Sequence, residues 1–368
     1  MKRLFKLRGH NASVLCCTTS SSSPHSVFSS SEDGNMCVFD LRTKSCVSTH
    51  QISGEEGVTS ICLKPGEDNQ LYAAAGSAIH CLDLRLGSSG RELQKYDFST
   101  DEINQVVVNH KATYLAAGDD SGEIKVIDLS NHKLYKTLRG GHTTICSAVQ
   151  FHSQRPWEVI SGGLDSKIVK WDFSKGRQLS TVQPVVPSGD SVGPMCNPPF
   201  VHAMATPHGD CSGEMGRSLA VARGDGSVEI YDSGFDSGKA ARGKDTKSRR
   251  NNKSSSGERS GEDDYQKSGL RCRLTADEGG HLTAVSSVTF ARFGERGRFL
   301  LSGGNDELVK LWDWASSTFK DTLSADVVPL TLNICHRKKV NWLTTAANSS
   351  ANLIVADTSK VLSVYHVC

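Results

Sequence analysis

No stretch of about eighteen apolar residues occurs anywhere in the 368 residues, so no helix is expected to cross a membrane. The twelve cysteines form no Cys-x-x-Cys, and only Cys16 and Cys17 are adjacent. A disulfide scaffold or zinc module would cluster them, so free thiols in a reducing compartment are expected. Charge of one sign is also lacking: 42 Lys and Arg face 40 Asp and Glu, a net of +2. Such a balance gives no global attraction to nucleic acid or an anionic membrane. The start, "MKRLFKLRGH", is basic without an apolar stretch after it, so no secretory leader is expected, and cytoplasm and/or nucleus is the expected location.

Catalytic motifs are missing too. "GFDSGKA" has three residues between its glycines and ends in Ala240, whereas a phosphate-cradling loop needs four and a Ser or Thr after the Lys. "GDCSGEMG" around Cys211 lacks nucleophile-elbow spacing, and His and Cys never fall in local ligand pairs. The expectation is a non-enzymatic protein with no catalytic residue, no metal and no cofactor. With 37% hydrophobic and 22% charged residues, the chain can nevertheless bury a substantial core.

What is present is a repeat. Apolar alternating runs close on an aromatic or aliphatic residue plus Asp: "MCVFD" at Phe39, "IHCLD" at Leu82, "IKVID" at Ile127, "IVKWD" at Trp171, "VEIYD" at Tyr231 and "VKLWD" at Trp312. "VLSVY" places Tyr365 at a seventh such point, without the Asp. The first three intervals are 43, 45 and 44 residues, and the later ones are 60, 81 and 53. A period of about 40 to 45 residues is that of a four-stranded propeller blade, and the long intervals must hold insertions. Each run reads as a half-buried strand.

Three units carry a further pattern. Gly-His at His10, His142 and His281 precedes Ser29, Ser161 and Ser302. Asp33, Asp165 and Asp306 follow four residues later, and Phe39, Trp171 and Trp312 six residues after those. These residues resemble the WD-repeat family, in which Gly-His opens a blade and Trp-Asp ends its third strand. The resemblance implies an all-β fold, a seven-bladed β-propeller of four-stranded antiparallel blades. It also implies one network per blade, in which indole donates to Ser, Ser to His, and His to Asp. Each buried polar group is then satisfied, and a charge-assisted bond of this kind contributes about 1.5–3 kcal/mol. The polar residues are thus expected to staple blades rather than to catalyse.

The other units are degenerate. The second lacks Ser and Asp and is shortened at the turn, and the third has Ile127 for the indole. The fifth keeps Asp225 and Tyr231 but has Val221 for Ser, with His202 as a candidate partner. The seventh leaves no room for a fourth strand, so "RLFKL", residues 3–7, should complete it and close the ring. Residues 1–368 are therefore expected to form a single propeller. Within it, residues 233–269 read as a disordered Ser/Gly/charged insertion of blade five, and residues 183–199 as a Pro-rich loop.

The sharpest functional feature is Arg two places past the strand-ending Asp, in "FDLR" and "LDLR". It places Asp40 with Arg42 and Asp83 with Arg85 at the same point of successive blades. In the WD-repeat family such D-x-R boxes mark substrate receptors that dock on the adaptor of cullin-4 ubiquitin ligases. The resemblance thus implies a protein partner, the ligase adaptor, with an unknown client on the opposite face, and a monomeric propeller within a complex. An arginine fork suits that task because it binds carboxylates and carbonyls through two bonds. Lys338, Lys339, Asp101 and Glu102 are the candidate client-binding residues. A generic scaffold in another complex remains open, with each Arg merely pairing with its own Asp. So does nucleic-acid association, or nuclear import, through Lys244, Lys247, Arg249, Arg250 and Lys253, although acidic residues follow closely. Trp157 is either a partner anchor or packed beneath Pro156, and Trp342 is expected in the core.

Overall fold

The computed structural model describes residues 2–54, 56–85, 91–184, 197–207, 211, 213, 215–235, 269–295, 297–318, 330–348 and 350–367. They form seven four-stranded antiparallel sheets. In blades one to six the strands run in chain order from the inner to the outer edge. Blade seven is assembled from both ends of the sequence. Its inner three strands are Val340–Thr345, Leu353–Asp357 and Val361–His366, and its outer strand is Lys2–Arg8. The closing pair is antiparallel, with Leu7 opposite Leu362 and Lys6 opposite Ser363. The ring therefore closes as the resemblance implies.

The chain builds each blade with the same two irregularities. The first and second strands slip register near the start of the inner strand, for example between Val14 and Cys16 and between Val340 and Trp342. The third and outer strands slip just before the aromatic position, between Lys170 and Trp171 and again between Leu311 and Trp312. A bulge adds local right-handed twist. Repeated at one place in every blade, it gives each sheet the strong twist that lets seven pack around an axis.

Burial departs from simple alternation. The third strand of blade four, Ile168–Asp172, is buried at every position, as are the second strands of blades five and seven, Ser218–Arg223 and Leu353–Asp357. A blade is covered on both faces by its neighbours, so both sides of its inner strands lie in a core. Only the outer strands alternate, as in Leu330–Cys335. The cores are accordingly shared between blades: Ala116, Ile124 and Val126 of blade three pack with Val149, Val159 and Trp171 of blade four. Fully burying one such aliphatic side chain contributes about 1.5–3 kcal/mol.

The turn after the network Asp forces a left-handed backbone. Gly34, Gly122 and Gly226 take positive φ there, as do Ser166 and Glu307 in blades four and six. Blade two replaces this turn with a two-residue connection, Ala75 pairing with Ala78 across Gly76. In blade five the third strand ends at Asp232 and pairs antiparallel with Leu270–Leu274. Most of the insertion between them, including the basic run from Lys244 to Lys253, lies outside the described residues, as does most of the Pro-rich loop.

Candidate docking face and the networks behind it

Blades four and six hold the complete network. In blade four the Trp171 indole donates to Ser161 Oγ at 2.8 Å, Ser161 donates to His142 Nε2 at 2.8 Å, and His142 Nδ1 donates to Asp165 at 3.0 Å. Blade six repeats this with Trp312 to Ser302 at 3.0 Å, Ser302 to His281 at 2.8 Å and His281 to Asp306 at 2.9 Å. Burial lowers the His142 pKa and outweighs the pull of Asp165. Burial alone would raise the Asp165 carboxyl, but hydrogen bonds from His142 and the Thr143 amide hold it below its ordinary range. The ring is therefore a neutral donor facing an anion. Gly precedes His because the indole needs the room: a Cβ on Gly141 would overlap Trp171 Cζ2 and lie 2.6 Å from Cη2.

Blade one holds a partial network. His10 Nε2 is 2.7 Å from Ser29 Oγ, but Nδ1 is 3.9 Å from Asp33 and 3.6 Å from Cys37 Sγ. Asp33 instead accepts the amides of Asn11 and Asn35, at 2.8 and 3.0 Å. Phe39 packs against the His10 ring with centroids 6.2 Å apart and donates nothing.

Two further networks escape the sequence pattern. In blade seven the Tyr365 hydroxyl donates to His336 Nδ1 at 2.6 Å, and His336 Nε2 donates to Asp357 at 2.8 Å. In blade five Arg223, wholly buried, donates through Nε to Glu229 at 2.6 Å, and Tyr231 donates to the same carboxylate at 2.8 Å. Arg223 Nη1 also reaches the carbonyl of Ser166 in blade four at 2.9 Å, so this network ties two blades together. Asp225 is taken by Ser227 and by Arg273 at 2.9 Å, not by the expected His202.

Both D-x-R boxes lie in turns between a third and an outer strand, and they share one geometry. In blade one Arg42 Nη2 donates to Asp40 Oδ2 at 2.8 Å and Nε to both carboxylate oxygens at 3.2 Å, while the Arg42 amide caps Oδ1 at 2.8 Å. In blade two Arg85 Nη2 meets Asp83 at 2.6 Å and Nε at 3.0 and 3.1 Å, with the Arg85 amide at 3.0 Å. The Arg85 side chain, and secondarily its amide, lowers the Asp83 pKa to about 2. Each Arg thus pairs with the Asp of its own strand end, yet the side chains are 69% and 64% exposed. At Ser130 and Gly234 the residue two past the Asp keeps the amide cap, and at Ser174 the hydroxyl donates to Asp172 instead.

Antiparallel order puts the third-to-outer turns at one end of every blade and the outer-to-inner connections at the other. Lys338 and Lys339 precede the inner strand of blade seven, and Asp101 and Glu102 that of blade three. All four are exposed, on the face opposite Arg42 and Arg85 but on blades that are not neighbours. Trp157, 45% exposed, shares the end that carries the arginines. It packs on Tyr114 and Phe173 with centroids 5.7 and 5.5 Å away. Trp342 is half-buried against two inter-blade cores.

Seven four-stranded blades, two of them pinned by a complete indole–Ser–His–Asp staple, have the build of a WD-repeat propeller. The comparison with known families agrees. The "WD domain, G-beta repeat" family matches residues 1–40, 132–172 and 272–313. Those segments end on the third strands of blades one, four and six, the ones that keep the His–Ser–Asp spacing. The chain carries WD40 repeats and folds as a seven-bladed β-propeller. It is 32% identical over 243 residues to WD repeat-containing protein 53 homolog of Dictyostelium discoideum, covering 61% of this chain and 63% of that protein. It is 23% identical over 311 residues to WD repeat-containing protein ATCSA-1 of Arabidopsis thaliana, covering 78% and 63%. A third relative, Meiotic fizzy-related protein 1 of Schizosaccharomyces pombe, is 32% identical over 29% of this chain and 24% of its own. The chain spans less than two thirds of the length of each. Segments such as "ICSAVQFHSQRP", "LLSGGNDELVKLWD" and "NLIVADTSKVLSVY" read as similar to WD repeat-containing protein 53.

Proposed function

We propose that this propeller is a substrate receptor that docks on the adaptor of a cullin-4 ubiquitin ligase through Arg42 and Arg85, and presents a client on the opposite face. One observation carries the reading: two successive blades offer guanidinium groups from the same turn, each oriented by the same two-pronged bond to its strand-ending Asp, and each about two-thirds exposed. An ionised carboxylate behind the fork fixes its plane while the outward edge stays open to a partner's carbonyls or carboxylates. Asp40 and Asp83 are then positioning residues, and Arg42 and Arg85 the contacts. Docking needs no catalytic group in this chain, in keeping with a non-enzymatic scaffold.

The test is affinity capture of the full chain, wild type and with both Arg42→Ala and Arg85→Ala. A receptor loses the ligase adaptor while its melting temperature stays within about 2 °C, since exposed ion pairs contribute little to stability. Unchanged adaptor recovery overturns the reading in favour of a scaffold in another complex.

A further inference from the structure

We propose that Cys37 and Cys46, in the third and outer strands of blade one, form a redox-active dithiol that hydroperoxides convert reversibly to a disulfide. Cys37 pairs in register with Thr49, and Cys46 with Phe39. The register slip between Val38 and Phe39 inserts an extra residue in the outer strand, and it gathers Cys37, Cys46 and Thr49 together. The Thr49 hydroxyl lies 3.5 Å from each sulfur. On its inner side Cys37 Sγ is 3.6 Å from His10 Nδ1. The pair thus spans the blade edge: Cys37 is buried, whereas Cys46 is partly exposed beside an exposed Thr49.

The two sulfurs divide the work of attack and resolution. A hydrogen bond from Cys37 lowers the Cys46 pKa to about 6, with help from Thr49 against the opposing effect of burial. Of the two sulfurs Cys46 is thus the one that ionises more readily, to the thiolate that is the nucleophilic form. Its hydrogen bond to Cys46, followed by burial, keeps Cys37 protonated. Burial pushes Cys16, Cys17, Cys62, Cys146 and Cys272 the same way as Cys37, so those thiols are inert.

The Cys46 thiolate attacks the outer oxygen of a hydroperoxide. The O–O bond breaks, and the alkoxide or hydroxide leaves as alcohol or water after taking a solvent proton. Cys46 is now a sulfenic acid. The Cys37 sulfur then attacks the Cys46 sulfur and the S–O bond breaks. The departing hydroxide takes the Cys37 proton, passed through the Thr49 hydroxyl that lies 3.5 Å from each sulfur, and leaves as water. Two thiols and one hydroperoxide yield one disulfide, one alcohol and one water, and the sulfurs supply both electrons. The bond would cross-link the hairpin whose turn carries Asp40 and Arg42. The chemistry itself does not depend on what that turn binds.

Mapping the oxidised full-length protein tests this. Reduced protein is treated with hydrogen peroxide, blocked with N-ethylmaleimide and digested with trypsin plus Glu-C without reduction. Cutting after Glu32 and Arg42 isolates Cys37 in 33–42, and cutting after Lys44 and Glu55 isolates Cys46 in 45–55. The expected result is a 33–42/45–55 linked pair that dithiothreitol separates. It should form at peroxide doses that leave most of the exposed Cys335 free. In Cys37→Ala, Cys46 should stop at the sulfenic acid and be trapped by dimedone, and Cys46→Ser should leave Cys37 reduced. Recovery of both wild-type peptides unlinked, at a dose that oxidises Cys335, overturns the proposal whatever the variants do. So does a linked pair that persists in dithiothreitol.

Discussion

Gly141 lies so close to the indole of Trp171 that any Cβ at 141 would overlap the ring. The glycine that precedes the blade-four histidine is thus fixed by a side chain thirty residues downstream. Gly141→Ala is expected to cost about 1–3 kcal/mol through overpacking. Thermal unfolding of the variant checks this. A melting temperature equal to wild type would mean that the indole can move aside.

Asp306 accepts from the His281 ring and from the Leu282 and Leu308 amides, while its neighbour Glu307 points outward. Asp306→Ala should cost about 1.5–3 kcal/mol, the worth of a charge-assisted bond with its donors left behind. Glu307→Ala should stay within about 0.5 kcal/mol, as surface changes do. Urea midpoints of the two variants, measured side by side, decide between a stabilising network and an incidental one.

His152 is buried, and its Nδ1 accepts the amides of Gln154 and Arg155 at 3.1 and 3.2 Å, which requires a neutral ring. Burial, then Arg155 and Lys170, lowers its pKa to about 4 from an ordinary 6.5. Because the folded pKa is depressed, the unfolded chain binds the proton first. The stability this group contributes is present above pH 6.5 and is lost progressively from there down to about pH 4. His142 and His10, also lowered, act in the same direction. The urea midpoint should therefore be level above pH 7 and fall on acidification. His152→Asn, which keeps an acceptor but cannot take up a proton in this range, should flatten the slope.

Removing residues 1–8 deprives Val361–His366 of its outer partner and opens a sheet edge. Unpaired edges template association. The truncated chain should elute as soluble aggregate on size exclusion and melt well below the full protein. Monomeric elution with an unchanged melting temperature would show that closure contributes nothing.

Much of this was written in the chain at fixed spacings. His142, Ser161, Asp165 and Trp171 can be found from sequence because strand and turn lengths in blade four hold them at constant intervals. His336, Asp357 and Tyr365 do the same work unseen: Cys335 stands where Gly would be, and Tyr365 follows Asp357 by eight residues rather than six. Arg223 and Glu229 could not be read at all, because one of the arginine's partners is a carbonyl from the neighbouring blade. His202 looked like a partner for Asp225, but Arg273, arriving from beyond the insertion, occupies that carboxylate. The D-x-R spacing was legible. Sequence could not say that each arginine already grips its own aspartate.

Because Lys2 and His366 face one another across a single ladder, Lys2–Arg8 must wait during synthesis for Val361–His366 to be made. While the ribosome works, six blades can stack in order behind it, with the opening segment dangling as an unspent latch. The circle snaps shut only when residue 366 emerges, so a chain stalled before that point is left an open arc with one blade lacking its rim.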